Sequence, residues 1–352
     1  MRKRLKTVAV SITVTILFLS LIVHPLATML IYDSIFACRY ETAPWQRYDV
    51  SDFDGLSVLR SDFRSGEHRL AGYKYFRADT TPHATLVLSH GLGGGGHNSY
   101  MNVVDFFTRV GYFVFTYDAT ANDESEGDRV GGLPQGPIDL CAALDHVATL
   151  DECRDLPTVL LGHSWGGYSV LSALRLHSEV KAAVSVSGFA HSHGILRERS
   201  ASYVGASAEL LLPAVYEYER MKYGDFSSCG AIDGIEASNA KIMIIHSSDD
   251  TTVPMSLGYS LYYERYADNP RFEFILRDGA GHSYPLSSPE ATAARTATDA
   301  AYADYLAAIG AASTEELKAA FMADHLDRST ALALDQNLMS RILAFCESSL
   351  AK

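Results

Sequence analysis

The chain has 352 residues, a formal net charge of −13 and 47% hydrophobic residues, enough for one large core. The acidic balance, with no basic stripe, excludes a nucleic-acid partner. The five cysteines, Cys38, Cys141, Cys153, Cys229 and Cys346, show no C-x-x-C pair, so neither a zinc cluster nor a disulfide scaffold is expected, and the sequence cannot pair them. No metal and no cofactor are implied.

The N-terminus opens on the basic run Met1-Arg2-Lys3-Arg4-Leu5-Lys6, followed by an uncharged span from Thr7 to Tyr32. As a helix that span is long enough to cross roughly 30 Å of hydrocarbon. Pro25 would kink or end a helix there. Positive charge ahead of the span predicts a cytoplasmic N-terminus and a globular part outside the cytoplasm. Residues 1–32 are therefore expected to be a single-pass membrane anchor. The alternative is a signal peptide and a secreted product, although no small-x-small cleavage site follows the apolar core. Residues 33–65, with Pro44, read as a connector, and 66–352 as the globular domain.

Within that domain Arg69–Arg77, Ala84–Ser89, Tyr112–Tyr117, Thr158–Leu161, Lys181–Ser187, Lys241–His246 and Arg271–Leu276 read as strands. Helical stretches such as Pro134–Leu150 and Tyr168–Leu176 alternate with them. Such alternation predicts an α/β fold with a mainly parallel central sheet covered by helices on both faces. About residues 188–239 are more than a crossover needs and read as a helical lid insertion. Its Leu210, Leu211, Leu212, Val215, Tyr216 and Met221 either line an acyl pocket or pack the lid to the core. His191 and His193 form the one close histidine pair, too few ligands for a catalytic zinc. The alanine-rich C-terminus reads as helices near Pro289–Ile309, Thr314–Leu326 and Thr330–Leu350. The first is expected to be the last helix of the fold, and about residues 311–352 an appended packing element.

Three loops carry chemistry. Gly162-His163-Ser164-Trp165-Gly166 fits G-x-S-x-G between a strand and a helix, the setting of a nucleophile elbow. A serine is a poor nucleophile until a base takes its proton, and the base is best a histidine held by a carboxylate. Asp249 and Asp250 follow the Lys241–His246 strand, where open α/β sheets place working groups. His282 lies on a glycine-rich loop after the Arg271–Leu276 strand. A glycine run, His90-Gly91-Leu92-Gly93-Gly94-Gly95-Gly96, follows Ala84–Ser89; no Gly-Lys-Ser/Thr makes it a phosphate loop. Its His90 is expected to hold the turn rather than act as a base. The loop after Tyr117 is acidic, with Asp123, Glu124, Glu126 and Asp128, and reads either as a solvated loop or as a rim that disfavours anionic substrates.

Serine, acid and histidine in this order resemble the α/β-hydrolase superfamily, in the branch of serine aminopeptidases and monoacylglycerol-lipase-like esterases. The likeness spans about residues 66 to 310. His246-Ser247-Ser248-Asp249-Asp250-Thr251-Thr252-Val253-Pro254 fits the family's H-G-x-x-D-x-x-V-P run, with Ser247 in place of glycine. Alignment on Val253-Pro254 selects Asp250 over Asp249. The resemblance implies a triad of Ser164, Asp250 and His282, with Leu92 and Trp165 giving backbone N–H donors to an oxyanion. The expected substrate is a small-molecule carboxylic ester, lipid-derived esters included because the tether would place the domain near a bilayer. A peptidase or aminopeptidase and an acyltransferase share every motif and remain open. The alternative of another class is a non-catalytic surface binding module. Protein partners and oligomeric state are not legible.

Overall fold

A computed structural model describes residues 7, 10–15, 18, 22–93 and 95–350. In chain order the strands are β1 (Leu56–Arg60), β2 (Phe63–Ser65), β3 (His68–Leu70), β4 (Gly72–Arg77), β5 (Ala84–Ser89), β6 (Tyr112–Tyr117), β7 (Thr158–His163), β8 (Ala182–Val186), β9 (Lys241–Ser247) and β10 (Phe272–Arg277). The α-helices from residue 24 onward are α1 (His24–Ile35), α2 (Met101–Arg109), α3 (Gln135–Thr149), α4 (Trp165–Ala173), α5 (Ser192–Val204), α6 (Ala208–Tyr223), α7 (Asp225–Ser228), α8 (Ala231–Ala237), α9 (Tyr259–Tyr266), α10 (Pro289–Ile309), α11 (Glu315–His325), α12 (Arg328–Ala331) and α13 (Gln336–Leu350).

Eight strands form one sheet in the order β1-β4-β6-β5-β7-β8-β9-β10, with β2 and β3 paired apart. Only β4 runs against its neighbours; every pair from β6 across to β10 is parallel. The central strands are buried along their whole length because helices cover both faces. On one face α3, α4, α8 and α9 bury Leu140, Tyr168, Leu171, Ile235 and Tyr262. On the other, α2 and α13 bury Val104, Phe107, Met339 and Ile342.

Three segments differ from the sequence-based expectation. The stretch 33–65, read as a connector, supplies β1, whose full length pairs with β4 at the sheet edge. Its pattern of one buried residue and four partly or fully exposed ones carries little strand signal. At the other end, the helix that closes the sheet is α13 and not α10. Leu338, Met339, Ile342, Phe345 and Cys346 recur at helical spacing and form a buried stripe. The longer α10 buries only Ala291, Thr298 and Tyr302 and joins a small separate cluster with Phe321, Met322 and Leu326. Helices α10–α12 are thus an insertion between β10 and the closing helix. Ile342→Ala should cost about 2–5 kcal/mol of stability, read by denaturant unfolding, as for other core deletions. A merely appended α13 would lose far less.

The N-terminal region also differs. Pro25 sits in the first turn of α1, directly after the π-helical Ile22 and Val23, and the helix runs past residue 32. Tyr32 is buried, and its hydroxyl donates to Glu219 Oε1 at 2.6 Å on α6, while Asp33 accepts from Tyr218 at 2.6 Å and Lys222 at 3.0 Å. The end of the expected anchor is therefore packed on the globular part. No helix among the described residues is long and apolar enough to cross a membrane. Residues 1–6, 8–9, 16–17 and 19–21 of the expected span lie outside the described residues. Between β8 and β9, α8 makes the crossover on α4, and α5–α7 are the extra residues foreseen there.

Candidate active site

All the chemistry-bearing loops leave the carboxyl ends of parallel strands, so the sheet brings them to one edge. Ser164 lies directly after β7 with φ +56° and ψ −114° and serves as the N-cap of α4. A side chain in that conformation is strained, and the surroundings must impose it. They do so by close backbone approach. A Cβ on Gly162 would stand 2.2 Å from Gly166 O, and one on Gly166 would stand 2.0 Å from Ser89 O. Only glycine fits either place, so the chain turns sharply and leaves the serine hydroxyl at the crest.

His282 Nε2 is 2.8 Å from Ser164 Oγ, and His282 Nδ1 is 2.8 Å from Asp250 Oδ2. The three residues are brought together from loops after β7, β9 and β10. Asp250 is buried, and its Oδ1 accepts from the backbone N–H groups of Thr252 and Val253, both at 2.9 Å. Burial alone would raise its pKa. The hydrogen bond from His282 and the Val253 N–H outweigh that and hold the carboxyl below the ordinary carboxylate range. Asp250 is thus an anion that fixes the ring so that Nε2 faces the serine as acceptor.

Asp249 does not join this chain. Its Oδ1 accepts from Ser247 Oγ at 2.5 Å and from the Gly281 N–H at 3.0 Å, bracing the loop that carries His282. His246 is fully buried; its Nε2–H donates to Val253 O at 2.9 Å, and burial lowers its pKa. It ties the acid loop to β9 as a neutral ring.

The glycine loop meets the same cleft. His90 is buried, donates from Nδ1 to Gly91 O at 2.7 Å and accepts at Nε2 from the Ala119 N–H at 2.9 Å. Both ring nitrogens are used on backbone, so His90 holds the turn. Leu92 lines the cleft with Ser164, and Trp165 is the first residue of α4. The first N–H groups of a helix have no partner within it. The Trp165 indole is spent elsewhere, donating to Leu133 O at 2.7 Å.

A family model described as serine aminopeptidase, S33, matches residues 80–218. The caffeoylshikimate esterase of Arabidopsis thaliana is 28% identical over 132 residues, 37% of this chain and 39% of that one. The monoglyceride lipase of Rattus norvegicus is 29% identical over 117 residues, 32% of this chain and 38% of that one. The chain has the α/β-hydrolase fold, and within it residues 80–218 are similar to this branch. It spans under two fifths of the length of these curated relatives. Among solved structures, an esterase of Pyrococcus furiosus aligns with TM-score 0.51 at 16% identity, over 80% of this chain and 96% of that one. An acylaminoacyl peptidase of Pyrococcus horikoshii aligns with TM-score 0.50 at 17% identity, over 66% of this chain and 38% of that one. At such identities these two speak for the fold alone.

The cleft beside Ser164 has a volume of about 200 Å³. Its wall mixes polar and apolar groups. None of Leu210, Leu211, Leu212, Val215, Tyr216 and Met221 lines it. Leu212 is buried in packing, while Leu210 and Met221 are exposed. The far wall comes instead from the 33–65 segment, through Gln46 and Tyr48, and from the C-terminal insertion, through Arg295 and Leu332. The acidic loop forms no rim there. Asp123 is buried, accepts from the Thr42 N–H at 2.7 Å and pairs with Arg47 at 3.0 Å. Glu124 pairs with Arg60, and Glu126 accepts from the Arg69 N–H at 2.8 Å. These acids hold β-strand and connector residues together, and none lines the cleft. All five cysteines are free thiols.

A further link was hidden inside the motif. His163, the residue before Ser164, accepts at Nδ1 from the Tyr100 hydroxyl at 2.8 Å and donates from Nε2 to His282 O at 2.8 Å. Tyr100 in turn accepts from the Gly91 N–H at 3.3 Å. The chain of bonds joins the glycine loop to the backbone of the His282 loop. Burial, and then the nearby His282, push the His163 pKa down to about 3. Folded His163 stays neutral on acidification, whereas an unfolded histidine takes up a proton below about 6.5. The unfolded state then binds more protons, so this residue's share of stability is complete above that pH and shrinks as pH falls. His163→Gln keeps a donor and an acceptor without the titration. Between about pH 7.5 and 4.5 the variant should lose less thermal stability than the wild type, read by calorimetry. Equal losses would show that His163 takes up its proton in the folded protein as readily as in the unfolded chain.

Proposed function

We propose that the protein is a serine hydrolase that cleaves carboxylic esters through an acyl-enzyme intermediate. The single observation that carries this is the chain of bonds Ser164–His282–Asp250, with two links of 2.8 Å, on a glycine-flanked elbow. Ser164 attacks the carbonyl carbon as His282 takes its proton, and Asp250 stabilises the charged ring that results. Leu92 and Trp165 donate their backbone N–H groups to the oxyanion. His282 returns the proton to the leaving group, and water, deprotonated by the same ring, releases the acid. The compact, partly polar cleft supports a small ester over a long acyl chain.

The reading as an esterase is tested by offering the full chain p-nitrophenyl esters and aminoacyl-p-nitroanilides side by side. Ester turnover with little anilide turnover is the expected result. Preference for anilides would make the protein a peptidase, which the same site can serve.

The protein is further read as tethered to a membrane by its N-terminal segment, with the hydrolase domain outside the cytoplasm. The basic Met1–Lys6 run and the uncharged span behind it support this. So do Val10, Ile12, Val14, Leu26, Leu30 and Ile31, each more than half exposed. The α5–α7 insertion is read as a lid. Membranes washed with alkaline carbonate should retain the full-length mass, while a soluble product lacking its first residues would show cleavage instead.

A further inference from the structure

The wall of the cleft beside Ser164 has an unusual charge pattern for a chain of net charge −13. Among the described residues that line it there is no Asp or Glu, and Arg295 carries the only permanent charge. Arg295 lies on α10, part of the insertion that closes the far wall. It is partly buried, its Nε donates to Ala331 O at 3.0 Å, its Nη2 approaches the Tyr48 hydroxyl at 3.4 Å, and its guanidinium stands 5.4 Å from the centre of the Tyr284 ring. None of these partners is an anion.

Four acids of the surrounding elements are held by other cations, and Asp327 caps α12 by accepting from Ser329 and Thr330. Asp299, one turn along α10, pairs with Lys318 at 3.4 Å. Asp52 pairs with Arg328 at 3.7 Å, Asp335 with Arg277 at 2.5 Å and Asp123 with Arg47 at 3.0 Å. Arg295 is therefore a guanidinium fixed by a carbonyl and an aromatic face, with no carboxylate among the described residues within 4.0 Å of it, Asp299 one turn away being turned to Lys318. A planar, immobilised fork of that kind matches a carboxylate. An acid-free wall also spares such a ligand the repulsion that the rest of this acidic surface would impose.

We propose that Arg295 binds a carboxylate carried by the substrate away from the scissile bond, so that the enzyme prefers anionic esters. The proposal deepens the esterase reading and rests on it for its kinetic form. Arg295 is a specificity residue here, since the chemistry at Ser164 does not need it.

Two matched pairs of esters test it on the full chain. One pair places the charge in the acyl half, p-nitrophenyl hydrogen glutarate against p-nitrophenyl methyl glutarate. The other places it in the alcohol half, 4-acetoxybenzoate against its methyl ester. In one pair Arg295→Gln should lower kcat/KM for the anionic member by about tenfold to a hundredfold, the usual worth of a hydrogen bond to a charged group. The neutral member should change by less than about twofold, which also shows that the variant is folded. Arg295→Lys should fall between the two, and added salt should shrink the wild-type preference. Equal losses for charged and neutral esters, or no change in either pair, would overturn the proposal. Binding separates this from the esterase reading. Calorimetry with monomethyl and dimethyl glutarate on Ser164→Ala, with and without Arg295→Gln, needs no turnover. Tighter binding of the monoester that disappears with Arg295 would uphold the anion site even if no ester were cleaved, and equal binding would end it.

Discussion

Ser164→Ala should lower ester turnover by on the order of a millionfold in kcat, the size seen when the nucleophile of a working triad is removed. The argument is geometric. The hydroxyl is the only group at the crest of the elbow, and His282 Nε2 already lies 2.8 Å from it. Removing the oxygen leaves His282 with no nucleophile to activate and leaves Asp250 and the glycine loop in place. Substrate binding should persist, because the cleft wall from Tyr48 to Leu332 is untouched. A variant that retained a tenth of the activity would mean that chemistry in this cleft does not pass through the serine.

Replacing the two neighbouring aspartates should give very different results. Asp250→Asn should lower kcat by roughly 10⁴, since the amide holds the ring in place but favours the wrong tautomer and cannot stabilise the charged ring. Asp250 is the carboxylate that meets His282 Nδ1 at 2.8 Å, and two backbone N–H groups at 2.9 Å fix it there. Asp249→Asn touches only the brace between Ser247 and Gly281. An amide oxygen can still accept from both, so the loss should stay within about tenfold, the cost of one weakened hydrogen bond. Comparable losses from the two variants would mean that the acid is not assigned by the contacts at His282. Steady-state kinetics on one ester, with thermal unfolding to confirm both folds, decides between them.

The loops of the candidate site were legible in the sequence because each is local. A strand, a glycine and a serine, or a strand followed by two aspartates and Val-Pro, announces itself within ten residues. The parallel sheet was legible for the same reason: β5 to β9 are apolar runs bounded by turns. What was not legible depends on distant partners. Leu56–Arg60 has no strand pattern of its own and becomes β1 only because β4 offers it an edge. Tyr32 looks like the last residue of an apolar span, but its hydroxyl is committed to Glu219, 187 positions away. The four acids from Asp123 to Asp128 read as a solvated loop or a charged rim until Arg47, Arg60 and Arg69 are found against three of them. Arg295 sits in an alanine-rich helix that reads as packing, and only the return of α10–α12 over the cleft turns it towards the serine's neighbourhood. His163 was in plain view inside the motif, yet its bond to the His282 backbone spans 119 residues and leaves no trace in the local pattern.

The most direct test of the account is covalent. The full chain is treated with an active-site fluorophosphonate, and intact mass and peptide mapping are read for the wild type and Ser164→Ala. A single adduct on Ser164 in the wild type, and none in the variant, is the predicted result. No adduct in the wild type, or one that survives in Ser164→Ala, would contradict an activated Ser164 and return the chain to the reading of a non-catalytic binding module.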